Sequence, residues 1–315
     1  VYYYIPSTTT YAVKSGNVSV TIGKAACKLA VSNGTMTTGG NMTLSDRVTD
    51  SSTGTKTYAI KTNGTTTAST LSNGVLTAGA MSANNDNSQS VVVTVTDPGD
   101  SNYNNCTKDT TITVNKQANT LAANSKTVYV NSVNNYADII KTNYGGAVTA
   151  TVSSDGTTGG SNDTTNKEYT AGVLSTSNDN NGSVVIAVTS ARTTTVAQST
   201  VNVTLTVQKY TNALNFISPT PAENTNLVYG TSYTATATAE TNGGTNGAIT
   251  YSSGTPATMT INSTSGVITV AKADGSTSVI TASMARTSTV KAASITRTFG
   301  TTKATCPAPT NVAIS

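Results

Sequence analysis

The chain has 315 residues, no histidine or tryptophan, a formal net charge of +4 and only 10% charged residues. Without histidine, Ser-His-Asp centres, His-ligated zinc and imidazole general bases are excluded. The weak charge and the low aromatic content disfavour nucleic-acid binding. Abundant Thr favours strands, while Asn, Ser and Gly favour turns. We therefore expect an all-β, non-enzymatic, extracellular protein with no cofactor and no membrane span.

A pattern of an alternating strand followed by lysine recurs along the chain. Each full copy ends in Lys, and a Leu follows five residues later: Val18–Lys24 with Leu29, Thr111–Lys116 with Leu121, and Val203–Lys209 with Leu214. A degenerate fourth copy runs from Ile295 to Lys303. The four lysines are 92, 93 and 94 residues apart, which indicates an internal repeat of about 93 residues.

A second landmark lies upstream of the last three repeat-ending lysines, Lys116, Lys209 and Lys303. Its copies are Gly74-Val75-Leu76-Thr77, Gly172-Val173-Leu174-Ser175 and Gly266-Val267-Ile268-Thr269. After each comes a polar turn and a β-rich run, at residues 90–96, 183–189 and 278–284. Short strands at this spacing are typical of a β-sandwich.

The repeat divides the chain into five segments. Residues 26–117, 118–210 and 211–303 are predicted to be whole sandwiches, called repeats 1, 2 and 3 below. Residues 1–25 match only the end of a repeat, as terminal strands of a preceding unit or an N-terminal extension. Residues 304–315 match only a beginning, as the start of a following domain or a C-terminal tail. Short linkers favour an end-to-end arrangement of the repeats.

Two phrases carry a resemblance to a known family. Ser101–Lys108 leads to Val114-Asn115-Lys116, and Tyr251–Gly254 leads to Ser265–Thr269. Together with the repeat they resemble bacterial immunoglobulin-like (Big) domains of secreted and surface proteins. This resemblance implies tandem immunoglobulin-like sandwiches used as spacer, stalk or adhesin module, and no catalytic residue. The ending Cys306–Val312 is similar to the opening strand of a fibronectin type III or further immunoglobulin-like domain.

The three cysteines occupy informative positions in the repeat. Cys27 and Cys306 each follow a repeat-ending lysine by three residues, and Cys106 precedes Lys116 by ten. We predict a disulfide between Cys27 and Cys106, which would join the first and last strand regions of repeat 1 and suit an oxidising compartment. The alternative is two free buried thiols. Cys306 then lacks a partner within the chain and would pair beyond residue 315 or with another molecule.

One acidic turn is a weak candidate for calcium. Asp97 and Asp100 flank Pro98-Gly99 and offer the oxygen ligands that calcium prefers. The spacing fits no defined calcium loop, so a plain turn is the favoured interpretation. Asp86, in the polar turn at 84–87, is interpreted in the same way. No other metal site is predicted.

Three functions are compatible with these features. The leading hypothesis is a structural segment of an extracellular bacterial surface protein, such as an adhesin stalk or fibre. The second is a self-assembling filament subunit joined by its N-terminal strand. The third is a glycan- or protein-binding module, including phage or virion decoration. The expected partners are neighbouring domains, copies of the same chain, or a host or surface ligand.

Overall fold

A computed structural model of the chain describes residues 1–142 and 145–307. Within these ranges the regular structure consists of 29 β-strands and two 3₁₀ helices. The chain is all-β, as its composition predicts. Of the predicted final segment 304–315, the part from residue 308 onwards lies outside the described residues.

The chain starts with a two-stranded hairpin. Strand β1 (Tyr2–Ile5) pairs antiparallel with β2 (Lys14–Asn17). The prediction of a strand over Val18–Lys24 is wrong for this structure, in which those residues form none. The physical reason is that a strand needs a neighbour to take its backbone hydrogen bonds, and the pairing with the start of the chain ends at Val18.

Repeat 1 contains nine strands and one 3₁₀ helix, Leu44–Arg47. The strands are β3 (Ala30–Val31), β4 (Gly34–Thr37), β5 (Asn41–Thr43), β6 (Val48–Thr49), β7 (Thr57–Asn63), β8 (Thr70–Ser72), β9 (Val75–Thr77), β10 (Gln89–Asp97) and β11 (Cys106–Asn115). They form a four-stranded sheet β4-β11-β10-β7, a three-stranded sheet β5-β9-β8 and a pair β3-β6. Strand β4 runs parallel to β11, and the other pairs are antiparallel.

Repeat 2 contains the same set of elements, with a 3₁₀ helix at Tyr136–Asp138. Its strands are β12 (Ala122–Ala123), β13 (Lys126–Tyr129), β14 (Val133–Asn135), β15 (Ile140–Thr142), β16 (Val148–Asp155), β17 (Ser161–Asp163), β18 (Glu168–Thr170), β19 (Gly182–Ser190) and β20 (Ser199–Gln208). The sheets are β13-β20-β19-β16, β14-β18-β17 and β12-β15. Each strand therefore occupies the place of the strand nine before it.

Repeat 3 shows this order once more. Its strands are β21 (Leu214–Ile217), β22 (Asn226–Val228), β23 (Ser232–Thr234), β24 (Thr236–Ala239), β25 (Ile249–Ser253), β26 (Met259–Ile261), β27 (Val267–Val270), β28 (Thr277–Met284) and β29 (Ala293–Thr302). The sheets are β22-β29-β28-β25, β23-β27-β26 and β21-β24. The chain thus consists of tandem immunoglobulin-like β-sandwiches. We call the last two strands of each repeat its closing hairpin.

The closing hairpins supply much of each core. Along β10, Val91, Val93 and Val95 are buried, while Thr94 and Thr96 on the other face are partly exposed. This period of two places apolar side chains inward and threonine outward. Burial of each valine contributes about 1.5–3 kcal/mol. The same alternation buries Val203, Leu205 and Val207 in repeat 2 and Ile280, Ala282 and Met284 in repeat 3.

In repeat 2 the Gly-Val-Leu landmark does not lie at the strand that corresponds to β9. In repeat 1, Asn73 and Gly74 have φ of +50° and +74° and form the two-residue turn between β8 and β9. The residue before the corresponding strand β18 is Lys167, with φ +56°, rather than Gly172. The prediction that Gly172–Ser175 matches Gly74–Thr77 is therefore wrong, because a lysine occupies the left-handed position and Tyr169 fills the core position of Leu76.

Contacts between Cα atoms divide the described residues into two compact units. The first comprises residues 1–120, 145–147 and 190–199, and the second comprises 121–142, 148–189 and 200–307. The tip of the closing hairpin of repeat 2 therefore belongs to the unit that contains repeat 1. Among the described residues, no helix reaches the length and apolarity that crossing a bilayer requires.

Candidate functional site

In the first unit, Gln117, the residue after Lys116, forms backbone hydrogen bonds with the closing hairpin of the next repeat. Gln117 pairs in parallel with Val196. Its amide donates to the carbonyl of Thr195 at 2.8 Å, and its carbonyl accepts from the amide of Ala197 at 2.9 Å. We call this contact, with the side chains around it, the first junction.

An ion cluster lies beside this backbone pair. The Lys116 side chain is only 1% exposed, and its Nζ lies 3.1 Å from Oδ1 of Asp86 and 2.7 Å from the carbonyl oxygen of Asn85. From the next repeat, Nε of Arg192 lies 3.4 Å from Oδ2 of Asp86. The amide of Gln198 donates to the same oxygen at 3.1 Å. Asp86 thus contacts a lysine of its own repeat and an arginine of the following one.

The second unit contains an equivalent second junction. The Lys209 side chain is wholly shielded from solvent, with Nζ 3.5 Å from Oδ1 of Asp179 and 2.8 Å from the carbonyl oxygen of Asn178. Nε of Arg286 lies 3.5 Å from Oδ1 of Asp179. The amide of Ala292 donates to Oδ2 at 3.3 Å. These residues lie 93 or 94 positions after their counterparts in the first junction.

The backbone contact at the second junction is also the same. Tyr210 pairs in parallel with Val290. The Tyr210 amide donates to the carbonyl of Thr289 at 2.9 Å, and its carbonyl accepts from the amide of Lys291 at 2.9 Å. The two junctions therefore share both a backbone pairing and a Lys–Asp–Arg cluster.

A threonine turn presents the arginine at each junction. Thr193 donates its amide to the carbonyl of Val196 at 2.9 Å, and its Oγ1 accepts from the amides of Thr195 at 3.2 Å and Val196 at 2.9 Å. A threonine that bonds the backbone two and three residues ahead stabilises a tight turn. Thr287 makes the same three bonds in repeat 3. The arginine immediately precedes the threonine in both repeats.

The carboxylate of Asp86 at the first junction is stabilised by two cations. Burial opposes the ionisation of Asp86, but the Gln198 amide and the Lys116 and Arg192 cations outweigh it, so the pKa of Asp86 lies below its ordinary value. Burying a lysine is costly unless a carboxylate and hydrogen bonds compensate its charge. Asp86 therefore satisfies the buried Lys116 and binds the next repeat with the same side chain.

The acidic turn at Asp97 contains its own cation. Asp97 is fully buried and accepts from Oγ of Ser52 at 3.1 Å and from the Gly99 amide at 2.9 Å. Nζ of Lys56 lies 3.6 Å from Asp97 and 2.7 Å from Asp50. The hydrogen bond from Lys56 holds the pKa of Asp50 below its ordinary value. Lys56 already pairs with both carboxylates, which favours a structural role for this turn.

Asp100, the other calcium candidate, caps the loop. It accepts backbone bonds from Thr53 at 2.8 Å, Asn102 at 2.7 Å and Tyr103 at 3.0 Å. These bonds, that from Thr53 first, lower the pKa of Asp100 to about 2. Its oxygens are oriented by the loop's own amides, as in a turn. Calcium binding at Asp97 and Asp100 therefore receives no support from this geometry.

The cysteines of repeat 1 lie next to the same turn. Cys27 and Cys106 form a disulfide in the structure, with Cα atoms 6.1 Å apart. Their sulfurs and a carboxylate oxygen of Asp97 all lie within 4.8 Å of one another. Sulfurs bonded to each other offer no thiolate for a metal. Cys306 is exposed and unbonded in the described structure.

The junction arginines are the main functional residues that sequence reasoning missed. In repeats 2 and 3, Arg192 and Arg286 lie in the turn that corresponds to the acidic turn of repeat 1. A signal for them exists, because Ala191–Val196 and Ala285–Val290 differ at a single position. Asp86, interpreted as a turn residue, belongs to the same site.

Comparisons with known proteins give only distant likenesses. No family model and no curated protein matches the sequence. Among solved structures, the chain is similar to EC3-6 of protocadherin gammaB7, with 14% identity, a TM-score of 0.26, and 81% of this chain and 69% of that chain covered. It is also similar to Drosophila N-cadherin EC1-3 (12%, 0.26, 79% and 89%) and mouse cadherin-23 EC22-24 (13%, 0.24, 87% and 97%).

Proposed function

We propose that this chain is a structural, non-catalytic segment of an extracellular bacterial surface protein, a stalk or fibre built of immunoglobulin-like repeats. The repeats are 26–117, 118–210 and 211–303. The observation that carries the proposal is the recurrence of one Lys–Asp–Arg cluster at both junctions. A chain that repeats the same lysine, aspartate and arginine at both junctions is organised to join repeats in a defined way.

The junction chemistry suits a load-bearing segment. Each arginine forms a salt bridge to the aspartate and also donates a hydrogen bond to a carbonyl of the preceding repeat, Arg192 to Asn84 and Arg286 to Ser177. A hydrogen bond from a charged group constrains direction as well as distance. The buried lysine and the aspartate come from one repeat, and the arginine and two backbone bonds come from the next. Rotation of one repeat against the other at a junction would break these bonds together. A stalk or fibre requires this resistance to bending and twisting.

The composition supports the absence of catalysis and an extracellular setting. The chain has no histidine, and the buried carboxylates Asp50 and Asp97 are engaged by Lys56. A disulfide between Cys27 and Cys106 would persist in an oxidising compartment. The resemblance to bacterial immunoglobulin-like repeats adds the bacterial surface to the proposal.

Single-molecule force extension of the chain tests this function. We expect three unfolding events, one for each repeat. An unfolded repeat of about 93 residues extends by at most roughly 330 Å at about 3.6 Å per residue. In repeat 1 the disulfide would withhold the residues between Cys27 and Cys106 and shorten the extension several-fold. Reduction should then give three similar extensions, whereas a single event or unequal extensions after reduction would contradict the proposal.

A filament subunit joined by N-terminal strand exchange is the second candidate. The observation that favours it is the exposure of the apolar side chains of Val18, Val20 and Ile22. Each of the three described repeats, however, already has a closing hairpin of its own. If strand exchange operates, the chain polymerises with rising concentration and deletion of residues 1–25 abolishes this. Analytical ultracentrifugation of the two proteins measures it.

A further inference from the structure

The first hairpin has the register of a closing hairpin. Ile5 pairs with Lys14 across eight intervening residues, as Asp97 pairs with Cys106 in repeat 1. The two hairpins keep the same register over four consecutive pairs. The segment that starts at Tyr2 therefore corresponds to the second half of β10 and to β11.

The turn of this hairpin and the residue that follows its last lysine also match the closing hairpins of the later repeats. Thr8 donates its amide to the carbonyl of Tyr11 at 2.9 Å, and its Oγ1 accepts from the amides of Thr10 at 3.3 Å and Tyr11 at 3.2 Å. These are the bonds made by the junction threonines of repeats 2 and 3. After Lys24, Ala25 pairs in parallel with Tyr103, as Gln117 after Lys116 and Tyr210 after Lys209 pair with the next hairpin.

The first hairpin differs from the closing hairpin of repeat 1 in the exposure of its apolar side chains. Val18, Val20 and Ile22 are 53%, 60% and 90% exposed. Their counterparts 92 residues later include Ile112 and Val114, which are fully buried. In repeat 1 those two residues belong to β11, between β4 and β10. The strands that would cover Val20 and Ile22 in the same way are not among residues 1–25.

We infer that residues 1–24 form the last part of the closing hairpin of a further immunoglobulin-like sandwich, and that the face formed by Val18, Val20 and Ile22 binds the rest of that sandwich, which is seven strands and the first half of the eighth. The occupant is a repeat of this type that ends within the first strand of its closing hairpin. A second copy of the chain does not meet this requirement, because its three described sandwiches are already closed. On binding, residues 18–22 become a strand and gain the partner that they lack.

A chimera with an added repeat fragment tests the inference. Residues 118–185, which contain the seven strands β12–β18, are placed directly before Val1 of the full chain. Val1 then takes the place of Ile186, 185 residues later in the repeat pattern. We expect the amides of residues 18–22 to exchange hydrogen at least 100-fold more slowly than in the parent chain. Force extension of the chimera should show a fourth unfolding event of about 90 residues.

Two matched variants control for non-specific effects. The chimera with Val20→Asp and Ile22→Asp should lose both the protection and the fourth event. The same substitutions in the parent chain should leave the three existing events unchanged, because these side chains are exposed there. A second chimera places residues 211–279, the corresponding part of repeat 3, before Val1. It tests whether a failure of the first chimera is due to the repeat 2 fragment itself.

The inference is overturned if neither chimera protects residues 18–22. It is also overturned if the parent chain forms dimers that Val20→Asp and Ile22→Asp abolish, because the occupant would then be a second copy.

Discussion

Nζ of Lys209 lies 3.5 Å from Oδ1 of Asp179 with its side chain wholly shielded from solvent. The same aspartate contacts Arg286 of the next repeat. One carboxylate therefore neutralises a buried cation inside its own repeat and forms a salt bridge to the neighbouring repeat. Stability within a repeat and coupling between repeats are joined at this residue.

Removal of that carboxylate should destabilise repeat 2 strongly. In Asp179→Ala the buried ammonium of Lys209 keeps only the carbonyl of Asn178 as a partner, so we expect a loss of about 3 kcal/mol in the free energy of unfolding. Adding Lys209→Met should restore most of it, because no charge is then buried. Hydrogen exchange of the β19 and β20 amides measures both. The control is Asp138→Ala, which removes an exposed carboxylate; a similar loss there would contradict the explanation.

The contribution of Asp86 should depend on pH. The pKa of Asp86 is lowered in the folded protein, so its stabilisation is complete above the unfolded value of about 3.9 and is lost as pH falls through the lower folded value. We expect Asp86→Asn to be less stable than the parent chain near pH 7 and equal to it at the acid end. Urea unfolding of repeat 1, followed by NMR, gives this difference. A difference that persists unchanged at acid pH would show that ionisation of Asp86 is irrelevant.

The disulfide should stabilise repeat 1 alone. Cys27 and Cys106 are 79 residues apart, and closing a loop of that length contributes about 4 kcal/mol by restricting the unfolded chain. Replacement of both cysteines by serine should lower the thermal stability of repeat 1. Residues 118–303 contain no cysteine, so repeats 2 and 3 should unfold as before. Equal destabilisation of all three repeats would refute a local bridge.

Cys306 should be open to intermolecular pairing. It is exposed and unbonded in the described structure, so mild oxidation of the purified chain should give a disulfide-linked dimer on a non-reducing gel. Cys306→Ser should remain monomeric under the same conditions, and reduction should reverse the dimer. Dimers of equal yield from Cys306→Ser would implicate the other two cysteines and argue against the pairing predicted between them.

The sequence alone predicts much of the architecture. The alternating strands that end at Lys116 and Lys209 lie in the closing hairpins, because a period of two requires one buried and one exposed face. The β-rich run at 183–189 falls within β19 for the same reason. Thr-rich segments with alternating apolar residues favour β-strands over helices. The all-β tandem repeat follows directly from these patterns.

The junctions could not be predicted in this way. Asp86 and Arg192 are 106 residues apart in sequence, and neither falls in a strand pattern. Their contact depends on how one repeat meets the hairpin of the next, which periodicity does not encode. The turn position of Lys167 could not be predicted either, because no local sequence pattern marks a lysine with positive φ. The one sequence feature that indicates the junction arginines is the Ala-Arg-Thr turn shared by repeats 2 and 3.

A double-mutant cycle between Asp179 and Arg286 tests the central claim, that the repeats are coupled by ion-pair junctions. Asp179→Asn, Arg286→Met and the double variant are compared in the full chain by hydrogen exchange of residues 285–292. We predict a coupling free energy of about 1 kcal/mol or less, as for a partly exposed salt bridge. Strictly additive effects of the two substitutions would contradict the account.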